Sequence, residues 1–249
     1  WTPARAAAWG QVRYHCPNPT TDESLPAVFF PYLYIAYVYF VVRIIAPLPI
    51  GRAWRIALGL LVFLICQHPQ IQKWYFGTMF SPEIPRACVI LLGLLYCTYL
   101  LLFLMSLVLD LGLLVAWAVR RGRAVERALV GRLRAGMIAL AALLSAVGVS
   151  QAIAVPEVRR VELAIRDLPT GLEGLRMVQL TDLHISRLMD AGWTRQVVAR
   201  TNALQPDLVV ISGDLIDGTP QARRHDIAPL ADLRARHGTV ASLGNHEYY

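Results

Sequence analysis

The stretch VQLTDLHIS, residues 178–186, changes character halfway along. Its first half has the apolar texture of a buried strand, and its second half sets an Asp and a His two positions apart. Alternate residues of an extended segment point the same way, so Asp182 and His184 would face one side together. The same grammar returns twice. PDLVVIS (206–212) runs into GDLIDG (213–218), and TVASL (239–243) runs into GNHEYY (244–249). Between these strands, residues 193–204 and 227–236 carry apolar positions at helical spacing. Upstream, VELAI (161–165) alternates as a half-buried strand does. Strand alternating with helix predicts a parallel α/β sheet with right-handed crossovers. In such sheets the carboxyl ends of the strands form the ligand crevice. Each of the three polar clusters closes a strand, so the topology predicts that they share one edge.

This α/β texture occupies only residues 156–249. The whole chain of 249 residues is 56% hydrophobic, with a mean hydropathy of +0.46, too apolar for an ordinary soluble protein. The excess lies in residues 27–155. Three predicted organisational units follow: an N-terminal segment (1–26), a transmembrane domain of about four helices (27–155), and the α/β domain (156–249). Residues 135–155 form an uncharged run long enough to cross a bilayer, and 87–119 is longer, interrupted only by Asp110. Residues 27–42 form a third apolar run, extendable to position 50 if Arg43 snorkels to the interface. The short run 56–66 is read as a further span. Asp110 is expected near a membrane interface rather than in a functional role, because its run exceeds what one span requires.

Charge follows the same division. Residues 1–155 hold 13 Lys and Arg against 5 Asp and Glu, a balance of +8, whereas 156–249 hold 11 against 12, a balance of −1. The basic excess therefore accompanies the apolar segments and suits membrane orientation. Nucleic acid is not expected as a partner, because no basic stripe marks the soluble part. Residues 120–134 contain six arginines and one glutamate, so this loop is expected to stay cytoplasmic. The run 135–155 then crosses outward and places the α/β domain outside the cytoplasm. The four cysteines, at 16, 66, 88 and 97, form no CxxC pair, which excludes a zinc ribbon by that pattern.

Asp182, His184, Asp214, Asn245 and His246 offer carboxylate, imidazole and amide groups without a thiolate, a donor set for harder divalent ions such as Mn²⁺, Fe²⁺ or Zn²⁺. A carboxylate such as Asp214 can bridge two cations. Gly213 and Gly244 would let the backbone turn sharply off each strand. Two cations about 3.5–4 Å apart can clamp a phosphate and acidify a shared water.

The ordered motifs DLH, GDLID and GNHE resemble those of the calcineurin-like metallophosphoesterases, over roughly residues 158–249. The preceding helices look like those of the family's membrane-bound members. The resemblance implies part of an αββα sandwich and an activity, hydrolysis of a phosphate ester by a metal-bound hydroxide. It implies two divalent ions, with Asp182 and His184 on the first, Asp214 bridging, and Asn245 on the second. His246 would stand beside the phosphate as the catalytic residue, stabilising charge or protonating the leaving oxygen. Asp217 and Glu247 match motif positions and are given supporting rather than ligand roles. The family pattern continues with further histidines that this sequence does not contain, so the sequence is read as a fragment of a longer protein. His225 and His237 are not expected to substitute for them, since neither closes a strand. Membrane anchoring makes a lipid-linked or envelope phosphate the natural substrate by analogy. The competing reading is a non-catalytic membrane protein whose truncated domain serves as an interaction module.

Overall fold

A computed structural model describes residues 34–76 and 81–248. The N-terminal segment, the first part of the 27–42 run and Tyr249 lie outside the described residues. In the soluble part, β1 (Met177–Leu180), β2 (Leu208–Ser212) and β3 (Thr239–Ser242) pair in parallel, in the order β1-β2-β3. Met177 lies opposite Leu208, and Val209 opposite Thr239. The central strand is the apolar one because both its edges are paired. Val209 and Ile211 are buried, and each such side chain contributes about 1.5–3 kcal/mol relative to exposure.

The two connections are helical, but their limits are set by caps rather than by apolar spacing. Residues 193–204 fall in Ala191–Ala203, which starts earlier because Asp190 accepts hydrogen bonds from the amides of Gly192 (3.0 Å) and Trp193 (3.1 Å). The helix expected at 227–236 lies upstream, at Pro220–Ile227. Thr219 caps it and Pro220 opens it, and a 3-10 turn, Ala228–Asp232, follows. VELAI forms no strand: Val161, Leu163 and Ile165 are exposed. Alternation marks a segment that could pair, and nothing among the described residues pairs with it.

The apolar part contains a short helix, Tyr34–Ile45, whose last five residues wind as a π-helix. Three helices follow that are long and apolar enough to cross a membrane: Arg52–Phe76, Arg86–Val119 and Arg127–Ala152. We label these four helices α1 to α4, and the two in the sheet crossovers α5 (Ala191–Ala203) and α6 (Pro220–Ile227). The eleven-residue run 56–66 is thus the middle of a 25-residue helix, α2, which extends through Pro69. At 1.5 Å per residue, α2 reaches about 37 Å. Asp110 lies 24 residues along α3, about 36 Å from its start and so beyond one hydrocarbon thickness. It is not solitary: Tyr39 Oη and Arg43 Nε donate to its Oδ2 at 2.6 Å each, and Arg43 Nη2 reaches Oδ1. Long range in sequence, this knot fastens α1 to α3.

The two parts meet through the α2–α3 connector. Glu83 accepts from Arg187 at 2.8 Å and pairs with Arg223, a fully buried residue of α6 that also bonds Asp226 at 3.0 Å. Arg86 Nε donates to the carbonyl of Leu188 at 3.0 Å. Beyond α4, the carbonyls of Ala154 and Val155 accept from Trp193 (3.3 Å) and Arg200 (3.0 Å). The α/β part is therefore held against the membrane helices at two places.

Candidate metal centre

Strand pairing does not stop where the strands end. Past β1 and β2 the two loops run alongside each other, with Ile185 bridged to Ile216. The amide of His184 donates to the carbonyl of Asp214 and that of Ile185 to Leu215, each at 3.0 Å, and the amide of Asp217 returns to Ile185 at 3.0 Å. Leu183, Ile185 and Ile216 are buried in a cluster with Trp193 and Val197 of α5. Burying alternate residues turns the others outward. Asp182 is exposed, and His184 and Asp214 are half-buried at the surface of that cluster. In residues 178–186 the apolar Leu183 and Ile185 anchor a loop from which Asp182 and His184 face the crevice.

The loops are wound tightly. Asp182, His184 and Asp214 have φ values of 52°, 42° and 47°, left-handed conformations that cost of order 1–3 kcal/mol each for non-glycine residues. Such strain persists where surrounding contacts over-determine it. Glu247 provides many of those contacts. Its carboxylate accepts from the amides of Gly244 (2.6 Å), Leu215 (2.6 Å), Asp214 (3.0 Å) and Ile216 (3.4 Å), locking the β3 loop to the β2 loop. Burial works against its charge, but these four donors hold its carboxyl below the ordinary carboxylate range. Close approach also demands glycine: a Cβ on Gly213, at φ 79°, would lie 2.5 Å from Gly244 Cα.

The result is two overlapping groups. Asp182, His184 and Asp214 each offer a ligand atom within 4.8 Å of the others, and so do His184, Asp217 and His246. Asp217 Oδ1 lies 3.0 Å from Nδ1 of His184 and 2.7 Å from Nδ1 of His246. The two rings stand edge to face, with centroids 4.4 Å apart. A carboxylate on Nδ1 fixes the tautomer and directs each ring's chemistry to Nε2. Asp214 Oδ1 accepts from the amide of His246 at 2.9 Å. Asn245 faces the same carboxylate. With its nitrogen turned towards Asp214 it donates at 3.0 Å and 3.3 Å. With its oxygen there, acceptor would meet acceptor, an arrangement that a cation between them would make favourable. The donor chemistry thus fits a divalent ion.

All five residues singled out in the sequence, Asp182, His184, Asp214, Asn245 and His246, come together. Asp217, given a supporting role by its motif position, touches both histidines, a linkage that no spacing rule reveals. Among the described residues, His225 and His237 belong to neither metal-ligating group.

Residues 175–249 match the family model described as calcineurin-like phosphoesterase. A transmembrane protein with metallophosphoesterase domain from Danio rerio is 32% identical over 211 residues, 82% of this chain and 46% of that protein. A protein of the same description from Bos taurus is 39% identical over 140 residues, 55% and 31% of the two chains. The UDP-2,3-diacylglucosamine pyrophosphatase of Chlamydia trachomatis is 36% identical over 81 residues, 31% and 24%. The chain spans less than half the length of each of these relatives. No solved structure matches it. Three strand-end motifs converging on one polar edge, the matching family model and relatives that share the helical region agree: through residues 175–249 the chain belongs to the calcineurin-like phosphoesterase family.

Proposed function

We propose that this protein is a membrane-anchored, metal-dependent phosphoesterase. The observation that carries the reading is the convergence of Asp182, His184 and Asp214 from two strand ends within 4.8 Å, with Asn245 and His246 delivered from a third. Asp182 and His184 would hold one divalent ion, Asp214 would bridge to a second, and Asn245 would contribute its amide oxygen there. Such ions, once bound, supply Lewis acidity and acidify a water. The chain's own residues do the positioning. Asp217 orients both imidazoles, Glu247 pins the two loops, and His246 stands ready to stabilise charge or donate a proton to a leaving oxygen.

Helices α1 to α4 embed the protein in the bilayer. Arg43, Arg52, Arg55 and the arginines of 120–134 lie at one end of the helical hairpins, against Lys73 and Arg86 at the other. This asymmetry supports an extracytoplasmic α/β domain. A lipid-linked or envelope phosphate ester is the substrate class that the membrane setting favours, and the Chlamydia trachomatis relative is named for a diacylated substrate.

The decisive assay is hydrolysis of an aryl phosphate ester by the full-length protein extracted in detergent, with Mn²⁺, Fe²⁺ or Zn²⁺ supplied. Activity should require the metal, and Asp214→Asn should lower it by at least about 100-fold, given that even supporting groups of metal sites are worth 10–100-fold. Absence of turnover with every ion would sink the enzymatic reading in favour of an interaction module. For orientation, Arg236→Cys should react with an impermeant thiol reagent on intact cells, above the level of the unsubstituted protein. Reaction only after lysis would place the domain in the cytoplasm.

A further inference from the structure

Beside the metal centre lies a cavity of about 180 Å³ whose lining includes His184 and Asp217 on one side and Pro82, Val89, Leu188 and Met189 on the other. Its walls thus come from two sources. The polar end is the candidate site itself, and much of the remainder is apolar. Val89 belongs to the first turn of α3, a helix apolar enough to span a membrane. Pro82 comes from the connector that leads into that helix. The connector is fixed there: Ser81 Oγ donates to the carbonyl of Asp217 at 3.1 Å, directly behind the carboxylate that holds both histidines. Arg187 also borders the cavity, but its guanidinium is engaged by Glu83 at 2.8 Å, so the cavity is not built to hold an anion.

Apolar walls beside a polar centre are unfavourable in water and become favourable when an apolar group covers them. The occupant must also be joined to whatever the polar end holds, since the cavity is continuous with His184 and Asp217. Val89 and Pro82 place an apolar wall of the cavity at the start of α3, a helix long and apolar enough to cross a membrane.

We infer that this cavity is an apolar subsite for the alkyl or acyl group esterified to the phosphate, and that Val89, Pro82, Leu188 and Met189 set the preference for amphiphilic esters. The inference rests on the phosphoesterase reading and deepens it, naming which residues would select the substrate. Each methylene removed from water tightens binding by about fourfold.

The test compares binding of methylphosphonate and hexylphosphonate to the full-length protein in detergent with Mn²⁺, by calorimetry. Hexylphosphonate should bind at least tenfold more tightly. Val89→Trp, which fills the cavity, should abolish that advantage and bring the two affinities together. Leu188→Gln, which makes the wall polar without adding bulk, should reduce the advantage and guards against a Trp variant that fails to fold. Equal affinity for the two phosphonates, or an undiminished preference in both variants, overturns the subsite alone. Failure of both phosphonates to bind overturns the phosphate reading and the subsite with it.

Discussion

Two carboxylates in this molecule each receive two partners, and they do opposite things. In the helical part, Asp110 is gripped by Arg43 and Tyr39. In the α/β part, Asp217 is shared by His184 and His246. Arg43 is a permanent cation whose planar fork matches a carboxylate, so the pair neutralises itself and closes. An imidazole that presents Nδ1 to a carboxylate still has a second nitrogen with which to ligate or transfer a proton. The same acid is a fastener in one setting and a positioning group in the other. The difference lies in its partners: the Arg43 guanidinium has only protons to donate, whereas each imidazole keeps a second ring nitrogen whose chemistry the carboxylate directs.

The sharpest way to break this comparison is to remove one partner from each. Asp110→Leu would leave Arg43 and Tyr39 without their shared acceptor and should destabilise the helical part by about 1.5–3 kcal/mol, read as a fall in melting temperature in detergent. Adding Arg43→Met should recover most of the loss. If the single variant melts as the parent does, the fastener role is wrong. Asp217→Ala should leave the melting temperature nearly unchanged and weaken Mn²⁺ binding by about 10–100-fold, measured by calorimetry. An unaltered affinity would mean that the histidines are held by packing alone. Glu247→Gln lies between the two in kind, because it supports the site by fastening. An amide has one acceptor oxygen and sets an N–H₂ against backbone donors, so a loss of about 1–3 kcal/mol is expected in chemical unfolding. Mn²⁺ affinity should fall with it, as the β2 and β3 loops part.

Legibility in the sequence followed the range of the interaction. Asp182, His184, Asp214, Asn245 and His246 were readable because each ends a strand, and strand ends in parallel sheets share an edge. The helix starts at Ala191 and Pro220 were readable in principle, since Asp190 and the Thr219–Pro220 pair are local capping signals. Apolar spacing alone sets these boundaries too late, because it marks the buried face and not the cap. VELAI misled because alternation reports a capacity to pair and says nothing about whether a neighbour is present. The Arg43–Asp110 pair, 67 positions apart, has no local signature, and the motif position of Glu247 does not say that it captures three amides of the β2 loop. Each depends on which backbone arrives opposite which side chain, information that belongs to the fold.

The clasp between Glu83 and the buried Arg223 gives the α/β domain its reach. A domain joined to its helices only by the short stretch after α4 would be free to swing about that point. Held also by the α2–α3 connector, this domain has two points of attachment and far less room to turn. With the helices set in a bilayer, it would work like a plane set to one depth of cut, meeting only what presents itself in a single layer.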